Sequence, residues 1–160
     1  DALLSGYYVN ELVLHLLHRH DPQPELFSVY GQTIGRLNAV GDPAAALRRF
    51  ELEALALLGY AVVLDHDTGT GLALRPGERY EYRVPEGPVP AGERAGPLVF
   101  SGSELEAIAR QEFSVPGTLA NAGRLLKSVI AWHLNGRELK SRKVLREMRR
   151  TADRARQEPS

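Results

Sequence analysis

The sequence has no cysteine. That excludes disulfides and thiolate-held metals, and it fits a reducing, cytoplasmic setting. No apolar run comes near the ~18 residues that a membrane-spanning helix needs, so no membrane contact is expected. The opening, Asp1-Ala2-Leu3-Leu4-Ser5-Gly6, lacks an initiator methionine, a basic n-region and a cleavage signal. It reads as a piece that starts where another domain ended. Net charge is missing too, with 20 basic residues against 20 acidic ones. What is present is an ordinary globular composition. In 160 residues, 43% are apolar and 25% charged, enough for one core, or one domain with a small appendage.

Neutrality conceals an asymmetry. Residues 1–136 hold 11 Lys and Arg against 16 Asp and Glu, while residues 137–156 hold nine basic residues against three acidic ones. A basic end on an acidic body suits a polyanion-facing surface; the alternative is a solvated terminal helix.

Helical periodicity dominates. Val9, Leu12, Val13, Leu16 and Leu17 predict a helix from Ala2 to about His18, stopped by Asp21-Pro22-Gln23-Pro24. Leu26, Phe27, Tyr30, Ile34 and Leu37 form the stripe of a second helix, from Pro24 to Val40. A third runs from Pro43 to Leu58, with Asp42 as N-cap and Leu47, Phe50, Ala54 and Leu57 inward; Gly59 stops it. Tyr60–Leu64 reads as a short strand. Residues 65–99 then hold five of the ten prolines and six of the fifteen glycines. This is a loop-rich insert, in which Tyr80–Val84 and Leu98–Phe100 alternate like strands. Ser103 and Glu106 have capping-box spacing for a helix to Glu112. A further helix spans Thr118–Leu134, with Leu125, Leu126, Val129, Ile130, Trp132 and Leu134 as core residues. A last helix is expected over Ser141–Arg150, followed by a mobile polar tail at 151–160. The fold class is therefore mainly α: about five or six helices in a bundle, with a small glycine- and proline-rich β insert.

Few residues suggest chemistry. Gly69-Thr70-Gly71 lacks the spacing of a phosphate loop, and Lys127-Ser128 lies mid-helix. Ser101 and Ser103 read as helix caps. His15 and His18 share a helix face, but with His20 past its end they make no metal site, which needs three or four ligands. No acid–base pair or triad assembles, so no catalytic residue, cofactor or metal is assigned and no enzyme is expected. Asn10 and Glu11 read as structural polar groups, because a buried carboxylate needs partners. Binding chemistry is better represented. Arg48 and Arg49 flank Leu47 and Phe50, a combination suited to a peptide with carboxylates and an apolar end. The competing reading pairs an arginine internally with Glu11, Glu51 or Glu53. Exposure separates the two. Arg137, Lys140, Arg142, Lys143 and Arg146 could track phosphates along one edge, without interleaved aromatics to stack bases.

Three stretches, taken in order and spacing, resemble the RecO family: Gly6-Tyr-Tyr-Val-Asn-Glu-Leu12 with Pro24-Glu-Leu-Phe27 and Tyr30; Ala46-Leu-Arg-Arg-Phe-Glu-Leu52 with Leu58-Gly-Tyr60; and Gly136-Arg-Glu-Leu-Lys-Ser-Arg142. The likeness covers most of residues 3–150 and places them in that family's C-terminal helical domain, with residues 65–100 as its small zinc-ribbon-like insert. The family's N-terminal barrel has no counterpart here. Many relatives hold zinc in the insert on four cysteines; here Asp65-His66-Asp67 stands at the first ligand pair, so zinc is not expected. The resemblance implies a cytoplasmic recombination mediator. It would bind the acidic C-terminal tail of single-stranded-DNA-binding protein through Leu47, Arg48, Arg49 and Phe50. It would also contact single- and double-stranded DNA, and work with RecR to load the recombinase. The alternative is a scaffold that positions the barrel and binds little itself.

Overall fold

The computed structural model of the protein describes residues 2–17, 22–39, 41–144 and 147. Proline and glycine punctuation divides its first sixty residues into three helices, α1 (Ala2–Leu16), α2 (Pro24–Asn38) and α3 (Pro43–Leu57). The Asp42 side chain accepts from the Ala44 amide at 2.9 Å, and Pro43 opens α3 where its missing N–H is no loss. Gly59 ends it at φ +84°. The Gly59 amide donates to the Ala56 carbonyl and the Tyr60 amide to that of Leu55, the paired bonds of a Schellman turn.

Tyr60–Leu64 does not pair as a strand. Its apolar character has other uses: Leu64 is buried, and the Tyr60 ring meets a residue of a later helix. The insert proper carries β1 (Arg79–Arg83), β2 (Gly87–Pro90) and β3 (Val99–Ser101), antiparallel in the order β2-β1-β3. Tyr80 and Tyr82 turn to one face, and both are buried. Pro88 and Pro90 fall on edge strand β2, where a missing donor is tolerated.

Helix α4 (Gly102–Ala109) follows β3 directly. Its capping box is Ser101 with Glu104, not Ser103 with Glu106. Both pairs have the same spacing, and β3 decides between them, because it delivers Ser101 to the helix start in extended conformation. Helix α5 is Thr118–His133. A further helical segment, 140–144, returns toward α1; the rest of the expected last helix and the 151–160 tail lie outside the described residues.

The core joins these elements. Val9 and Leu12 of α1, Phe50 and Leu55 of α3, Phe100 of β3, Leu105 and Ile108 of α4, and Leu125, Leu126 and Ile130 of α5 are all buried. Helices α3 and α5 run side by side in the same direction. Arg48 approaches Gly123 near their starts, and Tyr60 approaches His133 at their ends. Three expected core residues are exposed: Phe27, Leu57 and Trp132. Each shares a helix with a true core stripe but sits off its axis.

Gly102 fixes the insert to the bundle. A β-carbon there would lie 2.1 Å from the Arg75 carbonyl oxygen, a backbone atom that cannot step aside. Gly102→Ala should therefore destabilise the fold by about 3 kcal/mol. Gly35→Ala, with open space on exposed α2, should stabilise it by about 0.5–1 kcal/mol. Urea unfolding of the two variants should give shifts of opposite sign.

Candidate partner-binding and nucleic-acid interface

Arg48 does not stand free. Its side chain is 14% exposed, and its Nη2 donates to Glu51 Oε1 at 2.9 Å. Glu51 is fully buried. The same oxygen accepts from the Tyr8 hydroxyl of α1, and the Arg142 Nη2 lies 3.4 Å away. Arg142 also donates to the Tyr8 oxygen at 2.7 Å and stacks its guanidinium 5.1 Å from that ring's centre. Burial, reinforced by the Glu51 charge, pushes the Tyr8 hydroxyl well above the ordinary tyrosine value, so it stays a donor. Of the three internal partners the sequence allowed for Arg48, Glu51 is the one used. Among the described residues, Glu51 Oε2 and Arg48 Nε, both buried, take no hydrogen bond.

Glu11 anchors the basic segment separately. Its carboxylate accepts from the Lys140 amide at 2.7 Å, the Ser141 amide at 2.9 Å and the Ser141 hydroxyl at 2.7 Å. It thus caps the exposed amides that open segment 140–144. Burial works against its charge, but the bonds from Ser141 and Lys140 outweigh it and hold Glu11 below the usual glutamate value. Asn10, beside it, accepts from the Tyr30 hydroxyl at 2.6 Å and ties α1 to α2.

The expected residues therefore separate. Phe50 is fully buried, so it supports the surface from beneath and cannot line an open groove. Leu47 and Arg49 are partly exposed, and Arg49 lies 5.3 Å over the Phe113 ring. Arg137, Lys140 and Lys143 are exposed, but Arg142 turns inward to Tyr8 and Glu51 and does not join their edge. Arg146 lies outside the described residues.

Two hollows accompany this arrangement. One, of about 140 Å³, is lined by Lys127, Ile130, Leu134, Arg137, Leu139 and Arg142 among others. It combines an apolar floor with three cations and one anion, Glu138, a net positive lining. It adjoins Arg48 through α5, since the Arg48 Nη1 lies against Gly123, one turn before Lys127. The other, of about 400 Å³ between α1 and α2, is bounded by Leu14, Leu17, Phe27 and Tyr30 among others, and none of its lining side chains is charged. An anionic partner therefore fits the first.

The insert does not offer a zinc site. Asp67 accepts from the Gly69 amide at 2.8 Å and the Thr70 hydroxyl at 2.7 Å, bonds that hold its carboxyl below the usual range. The turn is closed by hydrogen bonds where a metal would otherwise hold it. His66 Nδ1 faces Asp65 at 2.7 Å. His15 Nδ1 lies 2.9 Å from the Glu11 carbonyl, and His18 and His20 are outside the described residues. Among the described residues, no three His, Asp or Glu side chains converge, and no helix is long and apolar enough to cross a membrane.

Sequence reasoning passed over one group. Tyr60, Trp132 and His133 meet at the ends of α3 and α5. Trp132 had been counted as core by periodicity alone, and Tyr60 as a strand residue.

A helical bundle with a small three-stranded insert and a basic segment docked on its first helix defines the class, a mainly α domain. Residues 1–143 match the family described as "Recombination protein O C terminal", and the chain belongs to it. It is 44% identical over 145 residues to DNA repair protein RecO of Methylococcus capsulatus, covering 91% of this chain and 59% of that protein. It is 38% identical over 159 residues to the Nitrosococcus oceani protein of the same name, covering 99% and 65%. With the Pseudomonas aeruginosa protein of that name it shares 41% over 143 residues, covering 89% and 60%. The chain thus spans about 60% of the length of these relatives.

Two outcomes follow from the carboxylates. The depressed Glu11 value means that its bonds to segment 140–144 stabilise at pH above the ordinary glutamate value of 4.5. That contribution is lost as pH falls through the lower folded value. The Lys140 and Ser141 amide resonances should shift together in that acid range, and Glu11→Gln should remove the transition. Arg48→Ala should cost about 3 kcal/mol, since it strips a buried carboxylate of its closest cation. Arg48→Ala combined with Glu51→Gln should cost less than half as much, as read by urea unfolding.

Proposed function

We propose that this chain serves DNA repair and recombination as the docking domain of a mediator protein and carries out no catalysis. In this reading it takes the acidic, apolar-ended tail of single-stranded-DNA-binding protein along the seam of α3 and α5. Leu47 and Arg49 contact the acidic stretch, Arg48 adds its charge from just beneath them, and the hollow beside Lys127 and Arg142 receives the apolar end. Arg137, Lys140 and Lys143 contact DNA phosphates without reading sequence. Joined to the remaining 35–41% of the length its relatives possess, it would work with RecR in loading the recombinase, in the cytoplasm and without a cofactor.

One observation carries the reading. Next to a hollow of apolar floor and net positive walls, the carboxylate of Glu51 already sits between Arg48 and Arg142. These arginines already hold one carboxylate, and arginine grips such groups with directional, charge-assisted bonds, which supports the reading. The burial of Arg48 on Glu51 favours the second reading, a scaffold whose arginines are spent internally.

Fluorescence anisotropy of a labelled acidic peptide ending in phenylalanine tests the two. The informative comparison is Glu51→Gln against Arg48→Ala/Glu51→Gln, because Arg48→Ala alone also unsettles Glu51. Binding about tenfold weaker in the double variant, and weakened by moderate salt, is the expected result. Equal binding by both would move the site toward Lys127 and Arg142. Absence of binding to the folded wild type would leave the scaffold.

A further inference from the structure

Three aromatic rings meet where α3 and α5 end. Tyr60 lies 4.2 Å from His133, centre to centre, with a 31° tilt. Trp132 meets His133 edge-on at 5.0 Å and 87°. Trp132 is 52% exposed and Tyr60 37%. Large aromatic surfaces normally supply core burial, and an exposed group of them marks a contact site. Burial also pushes His133 below the ordinary histidine value, which keeps its ring neutral and suited to apolar stacking.

The backbone explains the meeting. Helix α5 ends as α3 does. Asn135 adopts φ +51°, its amide donates to the Trp132 carbonyl, and the Gly136 amide donates to that of Ala131. The two Schellman turns lie side by side and bring Tyr60 against His133. The chain then leaves the α5 turn straight into its basic stretch. The Arg137 amide bonds the Leu134 carbonyl at 3.0 Å, and the side chains of Arg137, Lys140 and Lys143 are exposed. Only Glu138 interrupts these charges in sequence.

Rings that accept a base face, beside cations that accept phosphates, are what a single-stranded nucleic acid requires. A duplex keeps its base faces stacked and offers its backbone and base edges but no free base face. We infer that Tyr60, Trp132 and His133 form a stacking platform for unpaired bases of single-stranded DNA, whose phosphates run along Arg137, Lys140 and Lys143. The inference rests on the reading of that basic edge as a DNA contact and adds to it a preference for single strands.

Trp132 is the only tryptophan in the chain, so its emission reports on the platform alone. The experiment titrates the protein with an oligothymidylate and with a blunt duplex at low salt. Tryptophan fluorescence and the anisotropy of labelled copies are followed together. Saturable quenching by oligothymidylate, in step with anisotropy and absent with the duplex, is the expected result. Trp132→Ala should weaken oligothymidylate binding about tenfold and leave duplex binding unchanged, while Trp132→Phe retains most of it. Trp132 is half exposed, so these variants should fold. Oligothymidylate binding with unchanged emission, and of equal strength in Trp132→Ala, would overturn the platform and leave the basic edge standing; the rings would then serve a protein contact. Failure of both DNAs to bind would defeat the basic-edge reading and the platform with it.

Discussion

Much of the arrangement depends on one buried carboxylate. Glu51 lies in the core face of α3 with no exposed surface. An unpaired carboxylate in that position would cost several kcal/mol. One partner is local, Arg48 from the preceding turn of α3, and two come from distant parts of the chain, Tyr8 from α1 and Arg142 from segment 140–144. None of the three can leave without exposing the cost of the others. Glu11 repeats the device one turn along α1, where its carboxylate takes the first amides of the same segment. Two acidic residues from different helices thus hold the basic end of the chain against the bundle.

That anchoring sorts the cations into two sets. Arg48, Arg124 and Arg142 are turned to internal partners. Arg124 lies 4.4 Å over the Phe100 ring and donates to the Val99 carbonyl, which clamps the insert onto α5. Arg137, Lys140 and Lys143 are left to solvent. A charge count along residues 137–156 cannot separate the sets, because segment 140–144 presents Arg142 inward and Lys140 and Lys143 outward. The inward arginines keep part of their capacity. Arg48 and Arg142 share a single oxygen of Glu51, and the Arg142 side chain stays 24% exposed beside the hollow. A second carboxylate at this seam would meet cations already held in position. Such preorganisation lowers the entropic cost of gripping a peptide tail.

Most of the fold was legible because its punctuation is local. Pro22, Pro24, Asp42-Pro43 and Gly59 act through their own backbone, so the ends of α1, α2 and α3 fell within two residues of expectation. The misplacement of the capping box has the same origin. Two serines stand three residues before a glutamate, and only the strand preceding Ser101 selects between them. The reading of Tyr60–Leu64 as a strand failed because composition signals burial and extension but not a pairing partner. Phe27 and Trp132 were assigned inward by periodicity, which gives the axis of a stripe better than its edges. The candidate site was less legible than the fold. That Arg48 would find an internal acid was legible only as the competing reading, with Glu11, Glu51 and Glu53 all open to one arginine of the pair. That Tyr8 and Arg142 would join the same acid was not, since such contacts span 43 and 91 residues and no local signal encodes them.

The aromatic group was hidden by a similar distance, yet its cause is local twice over. A Schellman turn sends the residue after its left-handed position back across the helix end. At α3 that residue is Tyr60; at α5 the turn reverses the chain just beyond Trp132 and His133. Neither turn alone makes a platform. It is the shared direction of α3 and α5, set by the core between them, that brings both ends to one side. The Gly136 turn then joins the rings to the basic stretch with almost no intervening chain. Any movement that displaced segment 140–144 from Glu11 would move the exposed Lys140 and Lys143 but leave the rings fixed on α3 and α5. The rings and the basic stretch are therefore held by different forces: packing holds the rings, and the carboxylates of Glu51 and Glu11 hold the charges. Acid or salt should loosen the second while sparing the first.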